Sequence, residues 1–182
     1  MQRPTILVTG ATGKTGAAAA TLLREKGYPV RALVRREDTR SQRLRDSGAE
    51  VVAGSLEDMN DLRRALSGVQ RAYFCPPLAP GTLRRATLFA AAAADAKLEA
   101  AVALSQWVAD PVHPAVHARE KWLSNKVLEQ VPGLGVVTVF AKETHDGRLQ
   151  AVYSRAAYVE NGSGGPSVPE TGQYYGDCEV ER

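Results

Sequence analysis

The stretch Val8-Thr-Gly-Ala-Thr-Gly-Lys-Thr-Gly16 restricts the fold of this chain more than any other. An apolar, β-branched run, Thr5-Ile-Leu-Val8, reads as a buried strand and ends in glycines at 10, 13 and 16. Lys14 to Lys26 then carries the helix formers Ala17–Ala20, Leu22 and Leu23 and stops at Gly27. Two phosphate-binding turns share these letters. Gly13-Lys14-Thr15 looks like the end of a P-loop, but a P-loop needs glycine where the chain leaves the strand, and that place is Val8. It also needs a metal-holding aspartate at a neighbouring strand end, whereas the strands read below end at Arg35, Ala53 and Cys75. The dinucleotide turn uses every glycine. Gly10 makes the turn, Gly13 lets the backbone approach a pyrophosphate, and Gly16 lets helix and strand pack closely. The pyrophosphate then faces free N–H groups and the positive end of a helix.

The rest of the chain repeats the pattern. Strands are expected at Pro29–Val34, Glu50–Ala53, Arg71–Cys75, Ala100–Leu104 and Gly135–Phe140. Between them, helices are expected over Thr39–Ser47, Asp58–Leu66, Thr82–Ala96 and Val116–Gln130. Strands alternating with helices build right-handed βαβ units on a parallel sheet covered on both faces. This is an α/β, doubly wound (Rossmann) fold, with ligand expected at the carboxyl ends of the strands. Residues 1–140 form that unit. Residues 141–182 hold six glycines and few aliphatics, including Asn161-Gly-Ser-Gly-Gly-Pro-Ser167, and read as a short, loop-rich tail. Val152-Tyr153 and Tyr174-Tyr175 are its candidates for edge strands.

The end of the second strand selects the dinucleotide. An acidic residue there would bond the ribose hydroxyls of NAD, whereas Leu33-Val34-Arg35-Arg36 offers guanidinium forks suited to a 2′-phosphate, so NADP(H) is expected. The six arginines between Arg31 and Arg45 otherwise read as a solvated face. With no aromatic residues interleaved among them, nucleic acid is not an expected partner. At 182 residues, 44% hydrophobic and +3 in formal charge, the chain has the composition of one soluble domain. No apolar run approaches the ~20 residues that span a bilayer. Cys75 and Cys178 have no metal-ligand spacing, so no metal site is expected and a reduced, cytoplasmic setting is.

With these residues in place, the first ~140 positions resemble the NmrA-like group of atypical short-chain dehydrogenases/reductases. "ILVTGATGKTG", "ALVRR", "GAEVVAGSLED", "AYFCPP" and "ALSQW" occur in the group's order and spacing. The resemblance implies that Gly10, Thr12, Gly13, Lys14, Thr15 and Gly16 wrap the pyrophosphate and its ribose. Arg35, with Arg36 behind it, would take the 2′-phosphate. Ser55-Leu56 falls beside the adenine, where the group often has Asp-Leu; Ser55 with Asp58 also makes a capping-box pattern for the next helix. Pro76 would lie under the nicotinamide ribose, although a strand-ending turn explains Pro76-Pro77 equally well.

The resemblance implies hydride transfer between NADPH and a small carbonyl or quinone substrate. Ser105 would orient that substrate, His117 would donate a proton, and Lys121 would bond the nicotinamide ribose. His117 and Lys121 are four apart, so both can face one cleft. The competing reading makes His113 and His117 capping or surface groups about Pro114. Trp107 and Trp122 either pack the helix or wall an aromatic substrate. The typical Tyr-x-x-x-Lys pair is absent, with His117-Ala-Arg-Glu-Lys121 in its region. The group's C-terminal part, which builds most of the substrate pocket, finds no match in the tail. Two alternatives to a reductase therefore stand: a cofactor-binding redox sensor without turnover, and a truncated relative without a pocket. Substrate identity and oligomeric state are not legible.

Overall fold

The computed structural model describes residues 3–143, 149–159 and 168–178, with side chains over 3–139. Six strands alternate with five helices: β1 (Ile6–Thr9), α1 (Lys14–Glu25), β2 (Val30–Val34), α2 (Thr39–Asp46), β3 (Glu50–Ala53), α3 (Met59–Leu66), β4 (Arg71–Phe74), α4 (Thr82–Asp95), β5 (Ala100–Gln106), α5 (Val116–Glu129) and β6 (Gly135–Glu143). The order across the sheet begins β3-β2-β1-β4-β5-β6, and all five pairings are parallel. The expected doubly wound sheet is present.

Alternation along the strands divides the core into two layers. Leu7, Ala72 and Phe74 point to one face and pack with Leu62 and Leu66 of α3 and Phe89 of α4. Phe74 and Phe89 stack with ring centroids 4.4 Å apart. Val8, Val30, Ala32 and Val34 lie in the other layer with Ala20 of α1 and Leu44 of α2. The alanines of α4 serve this packing: Ala86, Ala90, Ala92 and Ala93 are buried, and short side chains bring the helix close to the sheet.

The tail departs from expectation. Residues Leu149–Val159 (β7) and Val168–Cys178 (β8) are strands that continue the sheet, antiparallel, beyond β6. The loop reading is corrected for these two segments, and both expected edge-strand pairs lie within them. An open β6 edge offers a row of N–H and C=O groups, and pairing to it satisfies backbone that glycine-rich composition alone does not assign. Asn161–Ser167 lies outside the described residues. Among the described residues no helix is long and apolar enough to cross a membrane.

A smaller correction concerns α3. Its N-cap is Asp58, whose carboxylate accepts from the amides of Asn60 and Asp61, so Ser55 is not the capping residue. Ser55 Oγ accepts from the Glu57 amide instead, closing the turn before the helix. Aspartate two and three residues before those amides competes for them better than a hydroxyl further upstream.

Candidate functional site

The sheet changes direction between β1 and β4, since β1 leads to β2 on one side while β3 leads to β4 on the other. At that point strand ends splay apart and leave a crevice. β1 ends in the buried Thr9, whose Oγ1 accepts from the Cys75 amide at 2.8 Å and donates to the Tyr73 carbonyl at 3.4 Å. This hydroxyl ties the crevice's two walls together. Sequence reasoning passed over Thr9, although a polar residue closing a buried strand must find partners.

The three glycines do different work. Gly10 turns the chain at φ +63°, and a Cβ there would strike the Cys75 carbonyl oxygen. Gly16, in the first turn of α1, sits so close to the Gly10 carbonyl that a Cβ would overlap it. Both are therefore demanded by the fold. Gly13 has φ −85° and ψ 165°, open to any residue, and a Cβ would meet only the Gly10 oxygen, at 3.2 Å. Its missing side chain leaves the outer surface of the turn bare. As N-cap it supplies no side-chain acceptor, so the first-turn amides of α1 face outward for water or an anion. Thr12 is half-buried beside it, and Lys14 and Thr15 are exposed. This bare, amide-lined turn fits a pyrophosphate.

Beyond β2 the arginine cluster divides. Arg31 is held by Glu50 at 2.8 Å, Arg40 by Asp38 at 2.6 Å and Arg45 by Glu37 at 2.6 Å. Arg35 and Arg36 are exposed, and their guanidinium groups have no partner among the described residues. Two uncommitted cations at this strand end fit a phosphate better than a ribose hydroxyl. Beyond β3, the Ser55 amide donates to Asp61 at 2.8 Å, and Leu56 packs on the core, partly buried. Pro76 is buried and Pro77 exposed, directly after β4.

A cavity of about 580 Å³ opens between the loop after β4 and the start of α5. Leu78, Ala79 and Pro80 line one side, and Gln106, His117 and Lys121 another. Exposed Leu78 and Val116 give its rim an apolar character, and Trp107, 45% exposed, follows directly after Gln106. The helical spacing thus brings His117 and Lys121 to one cavity, in unlike settings. His117 is exposed on the rim. Lys121 is only 4% exposed and has no hydrogen bond or ion pair among the described residues. Burial pulls its pKa down from 10.5 to about 8, with the charge of Cys75 opposing weakly. His113 does not cap α5, which has no side-chain cap; its Nδ1 accepts from the Ala115 amide at 3.1 Å, closing the turn about Pro114 before the helix. Trp122 lies under Lys126, with Nζ 5.9 Å from the ring centre.

Ser105 is buried near the end of β5, and its Oγ accepts from Asn125 Nδ2 at 2.8 Å. Asn125 was not anticipated, yet the signal is present: His117, Lys121 and Asn125 recur every fourth residue along one face of α5. Accepting from an amide leaves the Ser105 hydroxyl proton available to donate. Among the described residues no group of three or more His, Cys, Asp or Glu could hold a metal ion.

A model of the NmrA-like family matches residues 2–116. The NAD(P)H azoreductase of Xenophilus azovorans is 38% identical over 88 residues, which are 48% of this chain and 30% of that protein. A mutant NmrA superposes with a TM-score of 0.69 at 21% identity, covering 82% of this chain and 53% of the other. The NADPH-dependent quinone oxidoreductase of Escherichia coli, solved with NADPH, gives 0.61 at 24% identity over 74% of this chain and 47% of the other. The chain thus spans about half the length of these solved structures and less than a third of the curated relative.

Proposed function

This chain belongs to the NmrA-like family, and from that premise we propose that it binds NADP(H) and reduces a small carbonyl or quinone compound. The observation that carries the reading is the bare, amide-lined glycine turn that opens α1. Two similar proteins, an NAD(P)H azoreductase and an NADPH-dependent quinone oxidoreductase, carry activities that agree with it.

Gly10, Thr12, Gly13, Lys14, Thr15 and Gly16 would hold the pyrophosphate and adjoining ribose, with Arg35 and Arg36 on the 2′-phosphate. Ser55 and Leu56 would flank the adenine, and Pro76 the nicotinamide ribose. When bound, the nicotinamide supplies a hydride. The chain's own task is then to steady the negative charge arising on the substrate oxygen and to deliver a proton there. Ser105, oriented by Asn125, donates a hydrogen bond. Lys121 Nζ holds a proton that its surroundings render easy to release, and below pH 8 it is present on most molecules. We therefore place proton delivery at Lys121, in addition to contact with the ribose, and keep His117 at the rim, where it meets the outer part of the substrate. Leu78 and Val116 supply apolar contact to a flat aromatic body.

The test is NADPH oxidation at 340 nm with a panel of quinones, aldehydes and azo compounds. Turnover is expected, with Lys121→Met lowering kcat at least a hundredfold and His117→Ala lowering it only several-fold. Tight NADPH binding with no oxidation across the panel would favour a redox sensor over a reductase.

A further inference from the structure

One wall of the cavity is the loop between β4 and α4, through Leu78, Ala79 and Pro80, continued by Thr82 in the first turn of α4. Pro76, Pro77 and Pro80 have no N–H to donate, so the shape of this loop depends on what its carbonyls accept. The Ala79 carbonyl accepts twice, from Thr82 Oγ1 at 2.9 Å and from Arg85 Nη1 at 3.2 Å. The other arm of the same guanidinium, Nη2, pairs with Glu57 Oε1 at 2.6 Å. The fork passes close to Gly81, which turns the chain into α4 at φ +87°. Glu57 belongs to the turn after β3, where its amide donates to Ser55 Oγ at 3.1 Å. Arg85 therefore braces the cavity wall against a turn from another part of the sheet, although it does not line the cavity itself. Its side chain is only 12% exposed, and a planar fork fixes both arms together.

We propose that Arg85 is a positioning residue for the substrate: held by Glu57, it fixes the Leu78–Pro80 wall in the shape that receives an apolar ring. The inference rests on reading this cavity as the substrate site. The groups assigned to the reacting oxygen, Ser105 and Lys121, stand on β5 and α5 and not on this wall. With Arg85 removed, a substrate must order the wall as it binds, while the groups that act on it stay in place. That cost falls on binding, so KM rises more than kcat falls. The glycine turn and the β2 arginines lie on other elements, so affinity for the dinucleotide is spared. A purely structural role predicts something else, a loss shared by substrate affinity, dinucleotide affinity and kcat.

The experiment uses the full chain and 2-methyl-1,4-naphthoquinone as the probe, its binding in the presence of NADP+ followed by tryptophan quenching. Arg85→Met should weaken quinone binding at least fivefold while the NADPH dissociation constant stays within threefold. Arg85→Lys keeps a charge for Glu57 without the fork, and should fall between Arg85→Met and the parent. Glu57→Gln should weaken quinone binding at least twofold alone and add nothing in the Arg85→Met background, since it acts through Arg85. Hydrogen exchange in the peptide spanning residues 77–83, with no ligand present, should be at least threefold faster in Arg85→Met. Where the parent turns over the quinone, the KM of Arg85→Met should rise by more than its kcat falls. Undiminished quinone binding in Arg85→Met, an equal loss of NADPH affinity, unchanged exchange in the loop, or no quinone binding by the parent would each overturn the proposal. Quinone binding without NADPH oxidation by the parent would instead overturn the reductase reading and leave the wall's role standing on the binding and exchange results.

Discussion

Replacing Lys121 with methionine should make the protein more stable at neutral pH, although it removes a residue placed at the centre of the site. The reasoning starts from burial. In the unfolded chain the ammonium titrates at the ordinary 10.5, and in the folded protein at about 8, because burial disfavours its charge. Between those values the unfolded chain binds more protons, so stability rises with pH from about 8 to 10.5. Below 8 the whole penalty is present. At about 1.4 kcal/mol for each pH unit, the gap amounts to about 3 kcal/mol. Methionine has similar length and no charge, so Lys121→Met should gain up to about 3 kcal/mol at pH 7, or roughly 6–12 °C in Tm for a domain of this size. Tyr73, raised from 10 to about 12, loses stability at high pH in both proteins and cancels in the comparison; the Lys121 ammonium that holds the Cys75 thiol down is itself lost by pH 10.5, so Cys75 does not separate the two proteins there. Urea denaturation at pH 7 and pH 10.5 measures both arms. The variant's advantage should be large at the first and nearly vanish at the second. A variant no more stable than the parent at pH 7, or an advantage unchanged at pH 10.5, refutes the reasoning. A residue that costs this much stability is retained for function or not at all.

Gly16→Ala should lower both stability, by about 1–3 kcal/mol, and cofactor affinity, because its Cβ overlaps the Gly10 carbonyl. Gly13→Ala should leave Tm within about 2 °C, a shift worth less than about 1 kcal/mol, while weakening NADPH binding at least tenfold by calorimetry; unchanged affinity would show that the turn is structural only. Asn125→Leu removes the donor to Ser105 and should cost about 1–3 kcal/mol in urea denaturation, with kcat falling more than KM for NADPH rises. In the reductase assay kcat should fall as pH rises through about 8, following loss of the Lys121 proton; a flat profile from pH 6 to 9.5 would move proton delivery elsewhere.

Much of the architecture was legible because its signals are local. β-branched runs, glycine-stopped helices and the strand–turn–helix at Gly10–Gly16 placed every parallel strand to within a few residues, with β3 at Glu50–Ala53 as expected and β6 running on past Phe140 to Glu143. The pairings of β7 and β8 were not legible, because they depend on an open strand edge far from any local pattern. The cap of α3 was misassigned to Ser55 because a spacing rule ignores which oxygen is nearer the free amides. In the site, the two glycines required by the fold and the one left open to a ligand look alike in sequence; only the positions of Cys75 and the Gly10 carbonyl separate them. The same holds for the arginines. Glu37, Asp38 and Glu50 claim three of the six, and that Arg35 and Arg36 stand free at the end of β2, with Arg43 apart on α2, is a matter of tertiary placement. Lys121 was selected for its spacing from His117, but its isolation from any acceptor follows from packing alone.

Calorimetric titration of the unmodified protein with NADPH and with NADH tests the central claim most directly, because it asks whether the glycine turn and the free arginines together form a dinucleotide site. One charge-assisted phosphate contact is worth ~1.5–3 kcal/mol, a factor of ten or more. NADPH should therefore bind at one site per chain at least tenfold more tightly than NADH, and Arg35→Ala should remove most of that preference while leaving NADH affinity intact. Equal affinities would contradict the assignment of Arg35, and no binding of either dinucleotide would contradict the account as a whole.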